Sequence, residues 1–172
     1  TLSAIDPYTL KVRRTINLTG LQRPLAVAYV SADSFSPRVI VGCALTGKVL
    51  IINATDALAG NGDQAIEHEI ALGGSLTQFV HQDDQLWVAD SKLRKIYKAS
   101  INTLIQTGND SSFSQIDGIP FALSDMTVNE QGLWVATGDN LSLIDPDGFI
   151  ESYDISVDRL INADPMIYGK DQ

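Results

Sequence analysis

Leu86-Trp87-Val88-Ala89-Asp90 recurs as Leu133-Trp134-Val135-Ala136-Thr137, 47 residues further along the chain (133 − 86). The same step taken backwards from Leu86 lands on Val39, which opens Val39-Ile40-Val41-Gly42-Cys43. A second series follows these strings: Ser3-Ala4-Ile5-Asp6, Ile51-Ile52-Asn53, Tyr97-Lys98-Ala99 and Leu143-Ile144-Asp145 end at 6, 53, 99 and 145, at steps of 47, 46 and 46. Short β-rich runs at a fixed period in the forties mark a repeat whose unit is a small antiparallel sheet.

Working outward from these strings, each unit reads as four strands. In the third stretch, 76–80 alternates and ends in the turn His81-Gln82-Asp83-Asp84. Strands then follow over 85–89, 95–99 and 113–116, the last after the polar loop 107–112. The next unit repeats the order through 124–128, 133–136, 141–144 and 149–155, with Asp145-Pro146-Asp147-Gly148 as its last turn. Gly and Asx residues sit where tight turns need left-handed or Asx-type backbone. Inner strands such as Val49-Leu50-Ile51-Ile52 are apolar throughout, as strands covered on both faces are. Outer strands, 11–17 and 67–72, alternate polar with apolar. Helical periodicity is confined to Thr55-Asp56-Ala57-Leu58-Ala59, which Gly60-Asn61-Gly62 ends at once.

The expected fold class is therefore all-β: a β-propeller segment of about three complete four-stranded blades with partial blades at both ends, a fragment or half of a six- to eight-bladed ring. Residues 1–19 are read as the end of a blade, 20–72, 73–117 and 118–155 as blades, and 156–172 as the start of a further one. The chain opens on Thr1 without an initiator Met, which reads as a processed or excised start.

Composition narrows function by exclusion. Hydrophobic residues make up 44% and charged residues 19%, the balance of a chain that buries a core. Twelve basic against 21 acidic residues, a formal charge of −9, argue against nucleic acid or an anionic membrane as partner. No apolar run approaches the roughly 18 residues of a membrane span. The basic clusters, Lys11-Val12-Arg13-Arg14 and Lys92-Leu93-Arg94-Lys95, read as solvated strand ends and turns. Cys43 is the sole cysteine and lies in an apolar run, so it reads as a buried thiol and not as a nucleophile.

Leu2-Ser3-Ala4-Ile5-Asp6-Pro7-Tyr8-Thr9-Leu10-Lys11-Val12 resembles the hairpin of surface-layer-type YVTN repeats, and Leu86 to Ser91 with Ile96-Tyr97-Lys98 resembles NHL repeats. Asp125-Met126-Thr127-Val128, Gly132 to Ala136 and Asp145 to Gly148 look like gluconolactonase, strictosidine synthase-like and streptogramin lyase propellers. The gluconolactonase resemblance implies a divalent metal held by Glu, Asn and Asp from separate blades. Asp90 sits at a position resembling that Asp, but its equivalents here are Cys43 and Thr137, and no matching Glu and Asn open the other blades. Hydrogen bonding to its own turn is the simpler role for Asp90. A lyase would need a His facing the channel; His81, in a turn, and His68, in an outer strand, both read as solvated. Calcium could be bound by Asp83-Asp84 or Asp145/Asp147, although Asx-rich hairpin turns explain both pairs more cheaply. No catalytic or metal-ligand set is assigned.

The expected function is a binding or scaffolding segment presenting a loop face to a protein or glycan partner, with a part of a metal-dependent lactonase or lyase-type enzyme as the alternative. A channel-mouth site would lie where the loops between second and third strands open, at 44–47, 91–94 and 138–140, making Asp90, Arg94 and Asp139 its polar residues. A homodimer, or the remaining blades of a parent protein, would complete the ring. Four of the eight asparagines, Asn17, Asn53, Asn109 and Asn140, stand in Asn-x-Ser/Thr triplets, which favours an extracytoplasmic home. Asn109 in its polar loop is the best glycan acceptor in a eukaryotic secretory pathway; Asn53, at an inner strand end, is inaccessible.

Overall fold

The computed structural model describes residues 1–18, 20, 23–32, 35–117, 123–138, 140–145 and 150–154. Asp139, Asp147 and the further blade expected over 156–172 lie outside the described residues. Contacts divide the chain into two compact units, residues 1–122 and 123–172.

In the first unit, β1 (Leu2–Ile5) and β2 (Val12–Ile16) form a two-stranded sheet. Next comes a four-stranded antiparallel meander of β3 (Pro24–Ala32), β4 (Phe35–Cys43), β5 (Lys48–Asn53) and β6 (Ile66–Ala71). A second meander follows, of β7 (Leu76–Gln82), β8 (Gln85–Asp90), β9 (Lys95–Ser100) and β10 (Ser114–Ile116). The second unit carries a third meander, β11 (Asp125–Asn129), β12 (Gly132–Thr137), β13 (Asn140–Ile144) and β14 (Ile150–Asp154). Four-stranded antiparallel sheets are thus the building element, as the repeat implies.

The apolar inner strands β4 and β5 are covered on both faces. In the first unit, Ala28, Val30, Ile40, Val49, Ile51 and Ile70 pack against Leu76, Leu86, Val88, Tyr97 and Ala99 of the next sheet. The opposite face of β4 and β5, with Val41, Cys43, Leu50 and Ile52, is covered by Ile16 and Leu18, with Leu2 packed alongside. Alternate residues thus serve two separate cores, so neither face can carry polar side chains. An Arg38–Glu67 ion pair, extended by Asn53 donating to Glu67, ties β4 and β6 to the entry of a helix.

That helix, α1 (Ala54–Ala59), lies where the alternation gives way. Asn53 Oδ1 caps it by accepting from the N–H of Thr55 and Asp56, and Gly60 ends it at φ 101°. A second helix, α2 (Ile101–Thr107), occupies the corresponding place after β9, in residues whose helical character the sequence pattern does not show. Its Ile101 and Leu104 are buried, Ser100 caps it, and Gly108 ends it at φ 58°.

His68 differs from its expected solvated state. It is half-buried on β6, its Nε2 lies 3.0 Å from the Ile105 carbonyl oxygen, and its ring rests against Gly108. The backbone of α2 and the turn after it therefore cover it. His81 belongs to β7 and not to the turn, and it is exposed there. The turn itself is the two-residue Asp83-Asp84, with Asp83 at φ 51°. Among the described residues no helix is long and apolar enough to cross a membrane.

Candidate functional site

Cys43, Asp90 and Thr137 each close the second strand of their sheet, and each has no solvent exposure. The equivalence read from the 47-residue step is thus a structural one. What differs is the chemistry placed there. Burial pushes the Cys43 thiol up to about 11, with the nearby Glu69 charge adding to the effect and Lys48 opposing it. A thiol held in this way is inert at neutral pH.

Asp90 is bound on three sides by main chain. Its Oδ1 accepts from the N–H of Lys92 at 2.9 Å and Leu93 at 2.9 Å, within its own turn, and from Ser75 at 3.0 Å. Oδ2 has no hydrogen-bond partner and rests against Gly74, where a Cβ would come within 1.7 Å. Gly74 therefore has to be glycine twice over, for this contact and for its φ of 69°. Burial and then the Asp90 and Asp117 charges raise the Tyr97 hydroxyl above its ordinary pKa, keeping the phenol neutral.

The connection from Leu72 to Ser75 joins the two meanders of the first unit and is stitched to the second-to-third-strand turns of both. The Gly47 carbonyl accepts from Leu72 at 2.9 Å and Gly73 at 3.0 Å. On the other side, the Ser75 carbonyl accepts from Ser91 at 3.0 Å while Ser75 donates to Asp90. The turns 44–47 and 91–94 are thus brought to one rim. Gly47 at φ 62° and Arg94 at φ 57° end these turns in the same left-handed geometry. The residues lifted clear are Leu45 and Leu93, 55% and 43% exposed, together with exposed Lys92 and Arg94.

Of the three residues expected at a channel mouth, Arg94 stands exposed on this rim, Asp90 is buried beneath it, and Asp139 lies outside the described residues. Sequence reasoning missed Leu45, Leu93 and the Gly73-Gly74 stitch. The paired glycines before a strand were the available signal. Among the described residues no group of three His, Cys, Asp or Glu side chains converges in a geometry that could hold a metal. Asp84 is bound elsewhere. Its Oδ1 accepts from Asn102 N–H at 2.8 Å and its Oδ2 from the Ser100 hydroxyl at 2.6 Å, so it serves the start of α2. Asn109 is exposed, with Oδ1 accepting from Ser111 N–H.

No protein-family model matches the sequence, and no curated protein matches it. Among solved structures, the chain is similar to PorZ, a bacterial surface component of the type-IX secretion system of Porphyromonas gingivalis. The TM-score is 0.61 at 17% identity, over 90% of this chain and 18% of that one. It is also similar to the N-terminal domain of Nup159, with a TM-score of 0.55 at 13% identity, over 77% of this chain and 35% of that one. The chain thus spans about a fifth of the PorZ chain and about a third of the Nup159 one. Both neighbours are β-propeller-like, and identities this low bear on fold alone. With its four-stranded antiparallel sheets, the chain is an all-β polypeptide of the β-propeller class.

Proposed function

We propose that the chain is a scaffolding or binding segment of a β-propeller, and that the rim formed by the turns 44–47 and 91–94 is the face it offers to a protein or glycan partner. The observation that supports this reading is the division of labour at that rim. Asp90 and the main chain of Gly47 and Ser75 fix the frame from below, while Leu45, Leu93 and Arg94 stand exposed above it. An exposed guanidinium beside apolar surface on a rigid base suits an interface, since arginine is among the residues enriched at interface anchors. Asp90 then acts by holding the turn, and Asp139, which lies between β12 and β13 in the sequence, is carried as part of the same proposal. An extracytoplasmic home and completion of the ring by the remaining blades of a parent protein, or by a second copy, are parts of the same reading.

The test is to immobilise the 172-residue chain on arrays of proteins and glycans and to carry any binder to L93D and R94A. The reading expects each variant to lose about tenfold in affinity, about 1.4 kcal/mol, with its melting temperature unchanged. Binders indifferent to both variants, or none at all, would sink it. A chelator-reversible rise in melting temperature with calcium or another divalent ion would instead favour the lactonase or lyase-type alternative.

A further inference from the structure

We propose that the open edge of β1 and the apolar row on β3 together form a seat for a two-stranded β-hairpin carrying small residues on its inner face. The inference rests on reading the chain as part of a propeller, and it names what completes the first sheet.

The register of the first meander aligns Val27 with Val41 and Leu50, and Tyr29 with Val39 and Ile52, in two rows across one face. Along these rows Val41, Leu50 and Ile52 are 0%, 1% and 0% exposed, whereas Val27 and Tyr29 are 58% and 59% exposed, with Leu25 beside them at 51%. The cover on the buried part comes from Leu2 and Ile16 of the β1–β2 sheet and Leu18 just after it, together with Ala57 and Ala65 from the connection between β5 and β6. It stops short of Val27 and Tyr29. Among the described residues β1 pairs with β2 alone, and an apolar groove of about 310 Å³ lies between Leu2, Ala4 and Ile16 of that sheet and Val27 and Tyr29 of β3, with Ala54, Ala57 and Leu58 of α1 also lining it. The opposite face of β3 serves as an internal control. There Ala26, Ala28 and Val30 are all buried, because a full four-stranded sheet packs on them through β7. Two further strands on the β1 edge would extend the cover in the same way and would pair the N–H and C=O groups of that edge.

The chain also shows what those strands must look like. Phe79, paired with Val88, holds the place in its sheet that Val27, paired with Val41, holds in the preceding one. Phe79 is received by β3 and β4 through Ala26 and Gly42, where a Cβ on Gly42 would come within 2.8 Å of the ring. A protruding residue on a first strand is thus met by alanine and glycine from the strand pair before it. Val27 and Tyr29 protrude in the same sense, so the occupant is a hairpin with Ala or Gly at the facing positions, and β3–β4 is itself the pattern for it.

The experiment joins a second copy of residues 24–47 ahead of Leu2, so that its final turn leads into β1, and compares this protein with the 172-residue chain. The fused chain is expected to melt about 5 °C higher or more. With serine in place of the cysteine in the added copy, maleimide labelling of Y29C should be about tenfold slower in the fused chain, and the native Cys43, buried in both, should stay silent. V27D should abolish the gain in the fused chain and leave the unfused chain unchanged, since Val27 is exposed there. Equal labelling of Y29C in both chains, or an equal effect of V27D on both, overturns the proposal. So does protection of Y29C in the unfused chain that grows with concentration alongside a doubled mass in light scattering, which would give this face to a second copy. Failure to find a partner for the rim would leave these readouts unaffected, because none of them involves Leu93 or Arg94.

Discussion

At the residue scale, the position that closes each second strand shows how one repeat carries different chemistry on one geometry. The step of 47 makes Cys43, Asp90 and Thr137 equivalent, and the structure buries all three. Asp90 alone ties a neighbouring connection to its turn. Substituting alanine removes one acceptor from three N–H groups, and D90A should cost about 2–3 kcal/mol in urea unfolding. G74A drives a Cβ into the same carboxylate from a left-handed backbone, and should cost about 2 kcal/mol or more by the same measurement. If Asp90 served only a ligand, D90A would lose binding and keep stability. Cys43 gives a pH prediction. Its folded pKa, about 11, lies above the ordinary 9.0, so the fold holds the proton more tightly than the unfolded chain. The stability this group contributes is fully present below pH 9 and is lost as pH rises through 11. Thiol reagents at pH 8 should react with it only at the rate of unfolding, so labelling should accelerate with urea. The buried state of Cys43 was legible in its apolar run. The third contact of Asp90, from Ser75, was not, because Ser75 lies 15 residues away and reaches it only once β7 and β8 have paired.

At the scale of elements, the two helices differ in how they are specified. α1 could be read locally, from the run 55–59 and Gly60 after it, although the Asn53 cap was not legible. α2 could not, because Ile101, Leu104 and Ile105 amount to less than two turns of pattern, and half of its cap comes from the β7–β8 turn. Ser100 accepts from Thr103 N–H and donates to Asp84, while Asp84 also accepts from Asn102 N–H. We expect S100A and D84A each to cost about 1 kcal/mol, with the double variant costing less than the sum because the two side chains form one network. Denaturant midpoints of the four proteins would check this; strict additivity would mean that the caps act separately. The same network accounts for His68. A helix that sequence pattern does not reveal brings the Ile105 carbonyl over β6, and with it the half-burial that an alternating outer strand does not suggest. The inner strands were legible because cover on both faces makes them apolar throughout, and the outer ones because a single covered face leaves polar and apolar residues alternating.

At the scale of the whole molecule, the period near 46 made the fold class readable, since a repeated small sheet can bury its faces only against copies of itself. The rim was only partly readable. Arg94 was placed on it by its turn, whereas Leu45 and Leu93 looked like ordinary apolar residues until the Leu72–Ser75 connection set their turns side by side. A glycan prediction follows from the same distinction between exposed and engaged residues. In a eukaryotic secretory host, Asn109 should be occupied and Asn53 empty, because the Asn53 side chain caps α1 and bonds Glu67; peptide mass mapping before and after deglycosylation would read this directly. The stitch at Gly47, Ser75 and Asp90 has a use of its own. Most of its atoms are main chain, so the side chains at the turn tips contribute nothing to holding it. Positions 45, 92 and 93 are therefore places where sequence can be randomised while the frame stays fixed, which makes this rim a natural platform for selecting new binding surfaces.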